Sequence, residues 1–115
     1  MDERTIELVL RAAECVPPGR VTSYGAIARV TGTSARLVGR VMAVHGAFVP
    51  WWRVTNVRGA LPAGITQRAE AHWDAEEIPH AAGRARIAEA GVDEHRLRAA
   101  WESATRDLRR PGEPG

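Results

Sequence analysis

Two indoles, Trp51 and Trp52, stand side by side between Pro50 and Arg53 in a chain of 115 residues that holds four tryptophans, one tyrosine and one phenylalanine. A flat apolar side chain can wall a pocket in which another ring stacks, worth about 1–3 kcal/mol per base when that ring is a nucleobase. It can also fill a core, because tryptophan is highly buried on average. Neither indole can serve as a nucleophile or carry a proton. Cys15 is the one thiol; it ends an apolar stretch just before Pro17-Pro18, with no histidine near it in sequence to generate a thiolate. It reads as a small buried hydrophobe, and a single cysteine excludes a disulfide framework. His72, Glu76, Glu77 and His80 contain an i,i+4 pair, but without cysteine they make a poor zinc signature. A solvated acidic helix face is expected there, with no metal and no cofactor.

The basic residues carry a stronger signal. All 16 are arginine, and no carboxylate occurs between Glu14 and Glu70, an interval that holds Arg20, Arg29, Arg36, Arg40, Arg53, Arg58 and Arg68. The formal net charge of +2 therefore combines a basic centre with two net-acidic flanks. Codon bias accounts for arginine in place of lysine but not for the missing acids. Such a block suits a polyanion, since each cation placed over a phosphate releases condensed counterions. No apolar run approaches the roughly 20 residues of a membrane span, so no membrane partner is expected. Asp2, Glu3 and Glu7 stand where a signal peptide would be basic, which makes a cytoplasmic location the expectation.

Helices and turns must position these residues. Ile6, Val9, Leu10 and Ala13 recur at helical spacing over 3–15, and Pro17-Pro18-Gly19 stops that pattern. Thr22 or Ser23 can cap a helix over 24–30; Thr31-Gly32-Thr33 turns the chain, and Ser34 opens a second helix to about Ala43. The pattern is that of a helix-turn-helix. From Phe48 the chain reads as extended, with a turn near Arg58-Gly59, which predicts a small hairpin or wing over 53–61. In extended chain Trp51 and Trp52 point to opposite faces. Residues 66–76 and 84–90 read as helices with a loop over 76–83 between them. Asp93 can cap a last helix with Leu97, Ala100, Trp101, Ala104 and Leu108 on one face, and 109–115 reads as a frayed end. The expected fold is mainly α: a winged-helix-like helix-turn-helix domain over 1–101 with a small β hairpin, followed by a tail over 102–115.

Three stretches in this order, "VPPGRVTSYGAIARVTG", "ARLVGRVM" and "VPWWRV", resemble the DNA-binding domain of the O6-alkylguanine-DNA alkyltransferases over roughly residues 4–70, and more faintly over 84–101. In that family the third stretch reads Pro-Cys-His-Arg-Val, and the cysteine accepts the alkyl group. Here Trp51 takes the cysteine position and Trp52 the histidine position, as in the alkyltransferase-like branch that binds lesions without repairing them.

The resemblance implies a non-enzymatic sensor that flips O6-alkylguanine out of double-stranded DNA, acts as a monomer and marks the lesion for nucleotide excision repair proteins. It implies DNA contacts from Thr22, Ser23, Tyr24, Ser34, Ala35, Arg36, Gly39 and Arg40. Among these, Tyr24 rotates the target phosphate, Arg36 fills the vacated stack, and the small Ser34, Ala35 and Gly39 dock in the minor groove. Leu37 and Arg40 stand where many members have alanine and glycine, and Arg40 could clamp a phosphate. The implied lesion pocket comprises Tyr24, Val49, Pro50, Trp51, Trp52 and Arg53, with Trp51 as its floor, Trp52 in pocket or core, and Arg53 as a structural bridge. The alternative is a dimeric, sequence-specific helix-turn-helix transcriptional regulator that reads paired half-sites.

Overall fold

A computed structural model describes residues 2–108 of the chain. The first helix, α1 (Glu3–Glu14), starts at Asp2, whose carboxylate accepts from the Thr5 amide at 2.7 Å. A short strand, β1 (Thr22–Ser23), leads directly into α2 (Tyr24–Thr31), capped by the Ser23 hydroxyl accepting from the Ala26 amide. Gly32 ends α2 at φ 73°, the left-handed conformation that glycine adopts without a Cβ penalty. Ser34 then caps α3 (Ala35–His45) through the Leu37 amide. Each such cap contributes about 1 kcal/mol, and together they fix the boundaries of the helix-turn-helix.

Beyond α3 the chain is less regular. Two 3₁₀ turns, Gly46–Phe48 and Trp51–Arg53, precede β2 (Val54–Thr55); a third, Ala63–Ile65, leads into α4 (Thr66–Ala75). Then come β3 (His80–Ala81), β4 (Arg84–Ala85), the short α5 (Ile87–Ala90) and α6 (Glu94–Ala104), which Asp93 caps through the Arg96 amide. Among the described residues no helix is long and apolar enough to cross a membrane.

The expected hairpin over 53–61 is replaced by a different arrangement. β2 pairs in parallel with β1, Thr22 opposite Val54 and Ser23 opposite Thr55. The chain after it folds into a tight turn in which the Asn56 side-chain oxygen accepts from the amides of Arg58 and Ala60, both at 2.9 Å. The antiparallel hairpin lies instead at β3 and β4, in a stretch read as loop and helix, so the helix expected from 84 begins only at Ile87. Its two central residues, Ala82 at φ 54° and Gly83 at φ 74°, form the left-handed pair that suits hairpin twist. Alanine in the first of those positions hid the signal. Trp51 and Trp52 likewise lie in a 3₁₀ turn and not in extended chain, so strict alternation of faces does not apply to them.

Two apolar clusters hold the fold. The larger joins α1, α2, α3 and α6 through Val9, Ala13, Ile27, Val38, Val41, Leu97 and Trp101. The smaller gathers Val21, Ala69, Trp73, Ile78, Ala85 and Ala90. Trp51 packs against both clusters and Trp52 against the smaller one. The fold also runs through the expected 101/102 boundary. α6 continues to Ala104, Thr105 is fully buried, and the Arg11 guanidinium donates to the Ala104 carbonyl at 2.6 Å and pairs with Asp107 at 3.2 Å. On α6, Leu97 and Trp101 are buried while Ala100 and Ala104 are exposed. The end expected to fray, 109–115, lies outside the described residues.

Candidate nucleic-acid-binding site

The face of α3 that points away from the core carries Ala35, Arg36 and Arg40, all exposed, with Leu37 and Gly39 half-buried. The guanidinium groups of Arg36 and Arg40 make no ion pair or hydrogen bond among the described residues, and with Ser34 and Leu37 they border a shallow hollow. Arginines left unpaired on a helix-turn-helix are free to neutralise phosphates. Arg29 is not, because Glu94 pairs with it at 2.8 Å. One expected contact residue is placed otherwise. Thr22 is buried in the parallel seam, at 4 % exposure, and so is withdrawn from the surface. The Ser23 hydroxyl is engaged as the α2 cap.

Beside α3 opens a cavity of about 140 Å³, bordered by Tyr24, Gly39, Met42, Ala43, Gly46, Ala47, Trp51, Val54, Leu61, Pro62, Ile65 and Arg68. Tyr24 reaches it from the start of α2, its ring facing Gly39 across a gap that leaves a Cβ about 4.0 Å from the ring edge. Burial pushes the Tyr24 hydroxyl above its ordinary pKa, so it stays protonated and can donate a hydrogen bond. Trp51 forms a wall, and the Arg68 guanidinium lies 5.4 Å from the centre of its ring, within the range of cation–π attraction. Of the six expected pocket residues, Tyr24 and Trp51 border this space. Val49 is buried in the larger cluster, while Pro50, Trp52 and Arg53 do not line the cavity.

What Trp52 and Arg53 do instead is anchor the turn that carries Trp51. Arg68, His72 and Glu76 follow one another at four-residue intervals, so they share one face of α4 and its C-cap, and each docks on the Trp51–Arg53 turn. Arg68 covers Trp51. His72 stacks on Trp52, with ring centroids 3.7 Å apart and planes at 6°. Glu76 accepts from the Trp52 indole at 3.0 Å and pairs with Arg53 at 2.6 Å. Arg53 also donates to the Val16 carbonyl at 3.0 Å, Glu76 accepts from the Gly19 amide at 3.0 Å, and the Trp73 indole donates to the Trp52 carbonyl at 2.7 Å. The Arg53 and Glu76 side chains are only 13 % and 14 % exposed. Burial works to raise the Glu76 carboxyl, but hydrogen bonds from Arg53, the Gly19 amide and Trp52 outweigh it and hold the pKa below the usual value.

The solvated acidic face expected at 72–80 is thus corrected in part: Glu77 is exposed, but Glu76 is a half-buried hub, and a His80 ring nitrogen hydrogen-bonds with the Asp74 carboxylate at 2.7 Å. Of the two places open to Trp52, pocket or core, it takes the packing one: it is half-buried and hydrogen-bonded at the edge of the smaller cluster, off the cavity wall. Cys15 is half-buried against the larger cluster, and burial, aided by the charge of Glu14, pushes its thiol upward, away from a reactive thiolate. The sequence shows the i,i+4 spacing of His72 and Glu76 but not what it does, because an arginine, a histidine and a glutamate on a short helix carry no motif that names the turn they dock on. Extending that spacing back to Arg68 is the one signal that groups all three.

Residues 5–78 match the family described as 6-O-methylguanine DNA methyltransferase, DNA binding domain. Comparison with curated protein sequences yields no match. Among solved structures, this chain is similar to S. pombe Atl1 in complex with damaged DNA containing O6-carboxymethylguanine, with a TM-score of 0.70 and 28% sequence identity over 81% of this chain and 98% of that one.

Proposed function

Since the chain belongs to the family of the 6-O-methylguanine DNA methyltransferase DNA-binding domain, we propose that it binds duplex DNA through α3 and receives a flipped O6-alkylguanine in the cavity walled by Trp51, without transferring the alkyl group. The observation that carries this reading is Trp51 at the wall of a cavity of about 140 Å³, an indole that the resemblance of "VPWWRV" to Pro-Cys-His-Arg-Val puts in the position of the family's acceptor cysteine. Apolar space of about 150 Å³ holds one six-membered ring. The open cavity therefore has room for the substituted ring of a guanine, with its second ring toward the mouth. Tyr24 at the cavity edge and the unpaired Arg36 on α3 support extrusion of the nucleotide, the one crowding its phosphate and the other replacing it in the stack.

The absence of transfer follows from chemistry. An acceptor must be a nucleophile activated by a neighbouring base, and the indoles of Trp51 and Trp52 are not nucleophiles of that kind. Delivery of the held lesion to nucleotide excision repair proteins and a monomeric working form belong to the same proposal and rest on the family resemblance. The likeness to Atl1, whose structure contains damaged DNA, supports the choice of ligand. Two measurements test it: affinity for otherwise identical duplexes with and without one O6-methylguanine at fixed salt, and intact mass after incubation. Tighter binding of the damaged duplex with no added methyl mass is expected. Equal affinity, or a methylated Cys15, would overturn it.

A further inference from the structure

A second depression, about 390 Å³ in volume, lies at the other end of the loop that leads into the cavity, and arginines surround it. Its form comes from one backbone crossing. Gly59, at φ 81°, packs so closely on the β hairpin that a Cβ would stand 2.0 Å from the Ala85 carbonyl oxygen. The Ala85 amide donates to the Gly59 carbonyl at 2.9 Å, and Ala60 bridges to Arg84. Arg58 precedes Gly59, and Arg84 and Arg86 flank Ala85. Three guanidinium groups therefore issue from a single locked junction. All three residues are exposed, and their side chains make no ion pair or hydrogen bond among the described residues. Glu89 is the one carboxylate on the lining, and its carbonyl draws the Arg20 guanidinium alongside at 3.4 Å. Cations gathered in this way repel one another until an anion joins them.

The connection to the cavity says which anion. Arg58 borders the depression and Pro62 borders the cavity. Four residues of chain span at most about 14 Å, roughly four steps of a duplex at about 3.4 Å per step along one strand. DNA that presents a base to the cavity carries phosphates within that reach. We infer that Arg58, Arg84 and Arg86 form a second phosphodiester-binding platform, which grips the duplex beside the nucleotide held in the cavity. This rests on the reading of the cavity as a DNA site. The platform adds affinity without sequence or lesion information, because phosphates are the same on every duplex.

The test uses the full chain and duplexes with and without one O6-methylguanine, titrated over a range of salt concentrations. Replacing the three arginines together, R58Q/R84Q/R86Q, is expected to lower the slope of log affinity against log salt by about two to three, at about 0.9 per phosphate contact. Both duplexes should weaken by the same factor, so the lesion preference stays at the parent value. R58K/R84K/R86K keeps the charge and should keep the slope. Melting temperatures should not fall below the parent's in either variant, because the substituted side chains are exposed and unpaired. A glutamine variant with the parental slope overturns the platform and leaves the three arginines facing another partner, such as an acidic protein surface. A parent that fails to prefer the damaged duplex overturns the reading of the cavity, while the slope on undamaged DNA still decides the platform.

Discussion

Trp51 and Trp52 touch different neighbours, and the difference sets what each substitution should do. Trp51 borders the cavity and lies under Arg68, so Trp51→Ala should abolish most of the preference for O6-methylguanine over guanine. Because Trp51 also packs against both clusters, that variant should lose stability too, by about 2 kcal/mol, less than the roughly 3–5 kcal/mol of a fully buried tryptophan. Trp52→Phe keeps a ring against His72 and removes the indole hydrogen bond to Glu76. A bond to a charged group contributes about 1.5–3 kcal/mol, so this variant should melt earlier while its lesion preference stays at the parental value. Parallel binding and melting curves check both, and a Trp52→Phe protein that melts like the parent but ignores the lesion would reverse the assignment. The placement of Trp51 and Tyr24 at one cavity and of Arg36 and Arg40 on the outer face of α3 was legible in the sequence because their neighbours form motifs. Arg68, His72 and Glu76 were not, since their importance lies in what a helix brings against a turn some twenty residues earlier.

Among the elements, the grip of α4 on the Trp51–Arg53 turn carries a pH signature. The folded Glu76 carboxyl is held below its ordinary pKa, so its contribution is complete above the unfolded value of roughly 4.3 and is lost as the pH falls through the lower folded value. Melting temperature measured from pH 7 down to pH 3 should decline on the acid side in the parent, and less steeply in Glu76→Gln. At pH 7 the same variant takes the counter-charge from the Arg53 guanidinium and leaves it only neutral acceptors such as the Val16 carbonyl, which should cost about 3–5 kcal/mol. An unchanged acid limb in the variant would show that other carboxylates govern it. The two glycine turns differ in kind. Gly32 has nothing within 4 Å of a Cβ, whereas a Cβ on Gly59 would overlap the Ala85 backbone. Gly32→Ala should cost about 1–2 kcal/mol of left-handed strain, and Gly59→Ala distinctly more, as read from denaturant midpoints. The helices of the helix-turn-helix were legible because serine caps and a terminal glycine mark them. The parallel seam of β1 with β2 was not, since two-residue strands leave no alternating pattern, and the hairpin at β3 and β4 was masked by alanine in its turn.

At the scale of the whole molecule, both core clusters draw on the last third of the sequence. Leu97 and Trp101 complete the larger, and Ala85 and Ala90 the smaller. Val21 is held from both sides by later chain, its amide donating to the Ala90 carbonyl at 3.0 Å and its carbonyl accepting from the Val92 amide at 2.8 Å. That single residue ties the order of folding to the order of synthesis. While a ribosome is still adding the segment after Ile78, Val21 has no partner and Trp73 lies against an unfinished layer. At about 5–20 residues per second the roughly 30 residues up to 108 take about 1.5–6 s, long enough for a holdase chaperone to bind or for two nascent chains to meet. Stalled chains released after residue 78 should therefore be cut readily by protease, and chains released after residue 108 should resist it.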